Sequence, residues 1–169
     1  MVDRPTVLLS DANVLIDYRD SDITILSTVV THIAPIHVVR EVVDEVDDMS
    51  LARCRELGLT VIDVDPSTLL ELAALPRRLS RRDRLSFYVS RENDWVCVTN
   101  DRPLRRACEE HGVRVRWGLE LMLELHSAGA LPAPRARAVA RRIHENNPHH
   151  VDEAILKRFA ARLQRESGQ

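Results

Sequence analysis

VCVTNDRPLRRACEEHG, residues 96–112, joins a short apolar run to an arginine-rich segment of helical period. Val96-Cys97-Val98 has the character of a buried strand and stops at Thr99-Asn100-Asp101. Leu104, Ala107 and Cys108 then recur at helical spacing, and Gly112 falls where a C′ glycine would end the helix. The junction between strand and helix carries a carboxylate, Asp101. Val7-Leu8-Leu9-Ser10-Asp11-Ala12-Asn13 repeats the pattern near the N-terminus, with Asp11 at the junction.

Working outward, Thr6–Ser10, Thr60–Val64, Trp95–Thr99 and Val113–Trp117 read as strands, with His32–Pro35 a weaker fifth. Helical periods lie between them. Val38, Val39, Val42, Val43 and Val46 predict a helix around His37–Asp47, and Leu51, Cys54 and Leu57 another. Leu69, Leu70, Leu72, Ala73 and Leu75 predict a third, and Leu85, Tyr88 and Val89 give one face of a helix from Ser80 to Glu92. Alternating strands and helices predict an α/β fold with a mainly parallel sheet of four or five strands, because parallel strands are buried on both faces and read as continuous apolar runs. Beyond Gly118 only helices are expected: Leu119–Ala128, Ala133–Asn146 and Val151–Glu166. Residues 1–130 read as the main domain and 131–169 as a helical extension packed on it.

The 169 residues suffice for one sizeable core. Charge is unevenly placed. Residues 1–76 carry 5 Arg against 14 acids, whereas residues 77–169 carry 19 basic residues against 12 acids. Solvated helix faces would account for this, and so would an acidic site beside a basic platform that binds a phosphodiester. Cys54, Cys97 and Cys108 share no ligand-like spacing and read as reduced, buried thiols of a cytoplasmic protein. No leader pattern and no membrane-spanning run are seen.

In an open parallel sheet, ligands bind beyond the carboxyl ends of the strands, where the strand order reverses. Asp11 and Asp101 each follow a strand. If those strands are neighbours, about 4.8 Å apart, both carboxylates enter one crevice. Glu41, early in the His37 helix, and Asp83, in the first turn of the Ser80 helix, would begin near the same edge. Each acid also has a local explanation. Asp11 and Asp101 suit N-caps, Ser80-Arg81-Arg82-Asp83 resembles a capping box, and Glu41 suits a solvated helix face. Gathered at one edge, the four would repel one another unless a cation joined them, and oxygen ligands suit Mg²⁺ or Mn²⁺. Asn13 and Thr99 would orient the carboxylates or serve as local caps. Arg102, Arg105 and Arg106 would grip flanking phosphates or face solvent.

Asp11-Ala12-Asn13, then Glu41 in Val38-Val39-Arg40-Glu41-Val42, then Asp83 in Leu79-Ser80-Arg81-Arg82-Asp83, then Thr99-Asn100-Asp101, resembles in order and spacing the PIN-domain ribonucleases, above all the VapC-type toxins and their near relatives. The resemblance spans residues 6–126 through its motifs. It implies a PIN-like three-layer fold, an acidic pocket for one or two Mg²⁺ or Mn²⁺ ions, and hydrolysis of RNA, with Asp11, Glu41, Asp83 and Asp101 as ligands. It also implies an antitoxin as protein partner; the amphipathic helices suit a homodimer. The alternative is a PIN fold that acts as a binding scaffold. Two departures stand out: where many relatives carry an acid some residues after an Asn, Asp101 directly follows Asn100, and where others place two acids in succession after Thr, the first is Asn100; the next acid is Glu109, so the resemblance extends less well to a second metal.

Other phosphate enzymes fit less well. A haloacid-dehalogenase-type phosphatase would need Asp at position 13, which is Asn. A phospho-receiver would need a Lys after a late strand, but Lys157 is the one lysine, and five glycines supply no P-loop. His144, His149 and His150 are read as a turn around Pro148, not as a metal site.

Overall fold

The structure, a computed structural model, describes residues 6–73, 75 and 77–167. Residues 1–5 and 168–169, the outer ends of the two expected units, lie outside the described residues, as does the side chain of Leu69. The sheet begins where the apolar runs are densest. Strands β1 (Leu8–Ser10) and β4 (Val96–Val98) are buried at every position, as central parallel strands must be. They pair with each other in register, Leu8 opposite Val96 and Ser10 opposite Val98. On the far side of β1 lie β2 (Ile36–Val39) and then β3 (Thr60–Ile62), while β5 (Val115–Arg116) flanks β4. The order is β3-β2-β1-β4-β5, and every pairing is parallel. The chain moves outward from β1 in one direction and from β4 in the other, so the strand order reverses between the two strands that precede Asp11 and Asp101.

Among the described residues the sheet is flanked by ten helices: α1 (Ala12–Ser21), α2 (Thr24–His32), α3 (Arg40–Glu45), α4 (Leu51–Glu56), α5 (Thr68–Leu72), α6 (Arg81–Asn93), α7 (Arg102–Glu110), α8 (Glu120–Ser127), α9 (Ala133–Asn146) and α10 (Glu153–Ser167). This is an α/β fold consistent with a PIN-like three-layer arrangement. Gly112 takes a positive φ of 70° just past α7, the left-handed turn that ends a helix and favours glycine. Helices α8, α9 and α10 complete one core with the sheet: Leu125, Val139, Ile143, Phe159 and Leu163 belong to the same buried cluster as Leu8 and Val38.

Three expectations need correction. His32–Pro35 is not a strand; α2 ends at His32 and the second strand is Ile36–Val39. The helix expected over His37–Asp47 is therefore only Arg40–Glu45. Val38, Val39, Val42 and Val43 satisfy a helical period, but the first two are β-branched residues buried in a parallel strand, and pairing of that strand with β1 and β3 outweighs the period. Leu70, counted with the apolar face of α5, is 81% exposed. Helix α2 was not anticipated, since its sequence is rich in β-branched Thr and Val.

Candidate active site

Asp11 is the N-cap of α1. Its Oδ1 accepts the Val14 N–H at 2.8 Å. Asp101 is the N-cap of α7 and accepts the Leu104 N–H at 2.8 Å on its own Oδ1. The local explanation and the site explanation thus hold together: a cap fixes one carboxylate oxygen and thereby aims the other. Thr99 ties the pair. Its hydroxyl donates to Asp11 Oδ2 and accepts the Asp101 N–H at 2.9 Å. One threonine therefore joins the Asp11 carboxylate to the Asp101 backbone at the carboxyl edge of the two central strands, at the reversal of strand order.

Asp11 is 1% exposed, and burial pushes its carboxyl up to about 7. The hydrogen bonds from Thr99 and Val14 pull the other way, and the negative charges of Asp83 and Asp17 raise it further. Asp83 caps the start of α6 with Ser80: the Ser80 hydroxyl accepts the Asp83 N–H at 3.2 Å and donates to Asp83 Oδ2 at 2.6 Å. Its carboxyl is also raised, by burial first and then by the charge of Asp101. Asp83 thus adds its charge to the environment of Asp11, and Asp101 to that of Asp83.

Glu41 sits in the first turn of α3, two residues past β2 on the same edge of the sheet. Its Oε2 is buried with no hydrogen-bond partner among the described residues. An ion pair of Arg82 with Glu45, 3.0 Å, draws the start of α6 onto α3. Asn13 is half-buried on α1, and among the described residues no side-chain hydrogen bond joins it to Asp11 or Thr99. Among the described residues no three His, Cys, Asp or Glu side chains form a ready-made metal cage. The donors present are carboxylate oxygens, one of them, Glu41 Oε2, without a hydrogen-bond partner among the described residues, and this chemistry fits a hard divalent cation.

The structure disperses the three arginines. Arg102 pairs with Asp152 at 2.7 Å, at the start of α10. Arg105 pairs with Glu109 at 2.8 Å, with its guanidinium carbon 4.2 Å from the centre of the Trp117 ring. Arg106 pairs with Glu110 at 3.0 Å.

Sequence reasoning missed a buried carboxylate behind the crevice. Asp17 is 2% exposed and accepts from Asn100 Nδ2 at 2.7 Å and from Asn147 Nδ2 at 2.9 Å. Burial raises its carboxyl, while the two amides and the nearby His150 oppose the shift. Asn100 also accepts the Gly118 N–H at 2.9 Å, and the Tyr18 hydroxyl donates to the Gly118 carbonyl at 2.6 Å. His150 lies with its Nδ1 3.8 Å from Asp101 Oδ2, so the turn around Pro148 reaches the rim of the site. His144 is engaged elsewhere, its Nδ1 2.7 Å from the Val151 carbonyl.

Gly118 has no room for a side chain here. A Cβ would stand 2.8 Å from Asn100 Nδ2 and 3.0 Å from Val14 Cγ2. Gly118→Ala should therefore destabilise the protein by about 2 kcal/mol, combining overpacking with a disturbed buried hydrogen bond. Urea unfolding reads this directly, and an unchanged midpoint would show that Asn100 gives way freely.

The fold and site define an open parallel α/β protein with acidic residues gathered at its switch point. The chain matches no protein-family model and no curated protein, so no family assignment rests on such a match.

Proposed function

We infer that the protein is a metal-dependent nuclease of the PIN type that hydrolyses RNA phosphodiester bonds. The observation that carries this is the linkage of buried Asp11 to Asp101 through Thr99 at the reversal of strand order. Asp11, Glu41, Asp83 and Asp101 would hold Mg²⁺ or Mn²⁺, which supplies a nucleophilic water near neutral pH and shields phosphate charge.

The chain's own groups do the rest. Thr99 fixes the rotamer of Asp11, and the caps on α1 and α7 hold both carboxylates at the rim. The N-termini of the same two helices favour negative charge in the crevice. His150 and the Arg102–Asp152 pair border the crevice beside Asp101. Single-stranded or looped RNA suits a narrow rim better than a duplex does. The three buried free thiols suit a reducing, cytoplasmic setting.

Isothermal titration with Mn²⁺ should give saturable binding in the millimolar range or tighter. A single-stranded RNA should be cut with Mn²⁺ and spared with EDTA. Absence of both heat and cleavage would replace the nuclease with a PIN-like scaffold.

A further inference from the structure

Beside the acidic residues, on the side of β5, lies a cavity of about 200 Å³. Trp117 leaves the carboxyl end of β5 level with Thr99, since Val98 is paired with Arg116 and the Thr99 N–H bonds the Arg116 carbonyl at 3.0 Å. Arg105 is one helical turn beyond Asp101. The cavity therefore opens at the same edge of the sheet, one strand over. Its floor is apolar, from Trp117, Leu123, Ile155 and Phe159, and three arginines stand around it: Arg105, Arg158 and Arg162.

The charges there are incompletely matched. Glu120 is the one acid in the lining, and both its oxygens are engaged, by Arg162 at 3.0 Å and by the Trp117 N–H at 2.9 Å. Arg158 is exposed and has no ion pair among the described residues. Arg105 Nη1 is buried without a hydrogen-bond partner among the described residues, although the same guanidinium stacks on Trp117. The Arg105 nitrogen can donate to an acceptor in the cavity, and Arg158 presents a positive charge at its mouth. At about 200 Å³ the space is below the usual range for whole drug-sized ligands, about 300–1,000 Å³, and suits one planar ring. Flat ring, acceptor and anion together describe a nucleotide, and bases stack on both aromatic rings and guanidinium planes.

We propose that this cavity is a subsite for a nucleotide flanking the cleaved bond, its base set beside Trp117 and Arg105 and its phosphate held by Arg158. This rests on the nuclease reading of the adjacent crevice. An acidic peptide would also meet apolar floor and arginines, but continuity with the crevice along one edge favours the RNA strand.

Trp95 and Trp117 are the two indoles of the chain, so Trp95→Phe leaves Trp117 as sole reporter. In EDTA, a short single-stranded RNA of mixed sequence should quench Trp117. Arg158→Ala should weaken that binding about tenfold, and Arg158→Lys by less, since lysine keeps the charge and loses the planar fork. RNA binding that leaves Trp117 unquenched, or is indifferent to Arg158→Ala, overturns the subsite. Quenching by a Glu/Phe peptide but not by RNA overturns it in favour of a protein-docking surface. Wild-type cleavage of the same RNA in Mn²⁺ separates the two readings: cleavage without a Trp117 response sinks the subsite alone. A Trp117 response without cleavage sinks the nuclease, and with it the flanking assignment.

Discussion

Asp11→Asn should reduce Mn²⁺-dependent RNA cleavage by about 10³-fold, the rate equivalent of about 4 kcal/mol of lost charge stabilisation. The same change should make the cation-free protein more stable at neutral pH. The two effects have one cause. Burial raises the Asp11 carboxyl from 3.8 to about 7. Below 3.8 it is protonated in both states. Between that value and about 7 the folded chain keeps a proton that the unfolded chain has lost. Stability is therefore fully present below the unfolded value and falls as pH rises through the folded one, by about 4 kcal/mol in total from this group. The raised carboxyls of Asp17 and Asp83 act in the same direction. Asparagine cannot ionise, yet it keeps an oxygen for the Val14 N–H and an amide to donate to Thr99. Urea midpoints in EDTA from pH 4 to pH 8 should slope downward for the wild type and much less for Asp11→Asn. Mn²⁺ should restore the wild type at the upper end and leave the variant unmoved. Undiminished cleavage by the variant would remove Asp11 from the chemistry, and parallel pH profiles would remove the buried proton.

How much of this was legible depends on how far apart in sequence the partners lie. Strands β1 and β4 could be read because a strand buried on both faces is a continuous apolar run, and the acids after them because each is also a cap with a local signature. The rim could be placed from the general rule for parallel sheets, without knowing any contact. Strand β2 escaped because Val38, Val39, Val42 and Val43 fit two periods at once, and only pairing with β1 and β3 chooses between them. Asp17 escaped for a different reason. Its partners Asn100 and Asn147 are 83 and 130 residues away in the chain, and nothing local distinguishes it from the exposed Asp20 three residues on. His150 likewise gains its place beside Asp101 only when α9 folds back onto α1. The arginines after Asp101 were readable as a group, but helix geometry sends Arg102, Arg105 and Arg106 to three different carboxylates.

Asn100→Asp puts that distinction to use. The position follows Thr99 and precedes Asp101, so the sequence alone offers it as a place for a further metal ligand. In the folded chain it faces the other way. Asn100 is 2% exposed, its amide nitrogen donates to Asp17 Oδ2 at 2.7 Å, and its carbonyl oxygen accepts the Gly118 N–H at 2.9 Å. A carboxylate there would keep the Gly118 contact and turn its other oxygen onto the Asp17 carboxylate. Two buried carboxyls at that distance must share a proton, as neither site can tolerate both charges. The expected result is a loss of about 3 kcal/mol or more at pH 7, from a broken buried hydrogen bond and an uncompensated charge. The loss should shrink as pH falls toward 4 and the pair becomes protonated, the opposite of what a solvent-facing acid would give. Mn²⁺ stoichiometry should not rise, because Asn147 and Gly118 hold this pair behind the crevice and not in it. A variant as stable as the wild type at pH 7 that bound an additional Mn²⁺ would mean that position 100 opens onto the rim with Asp11 and Asp101.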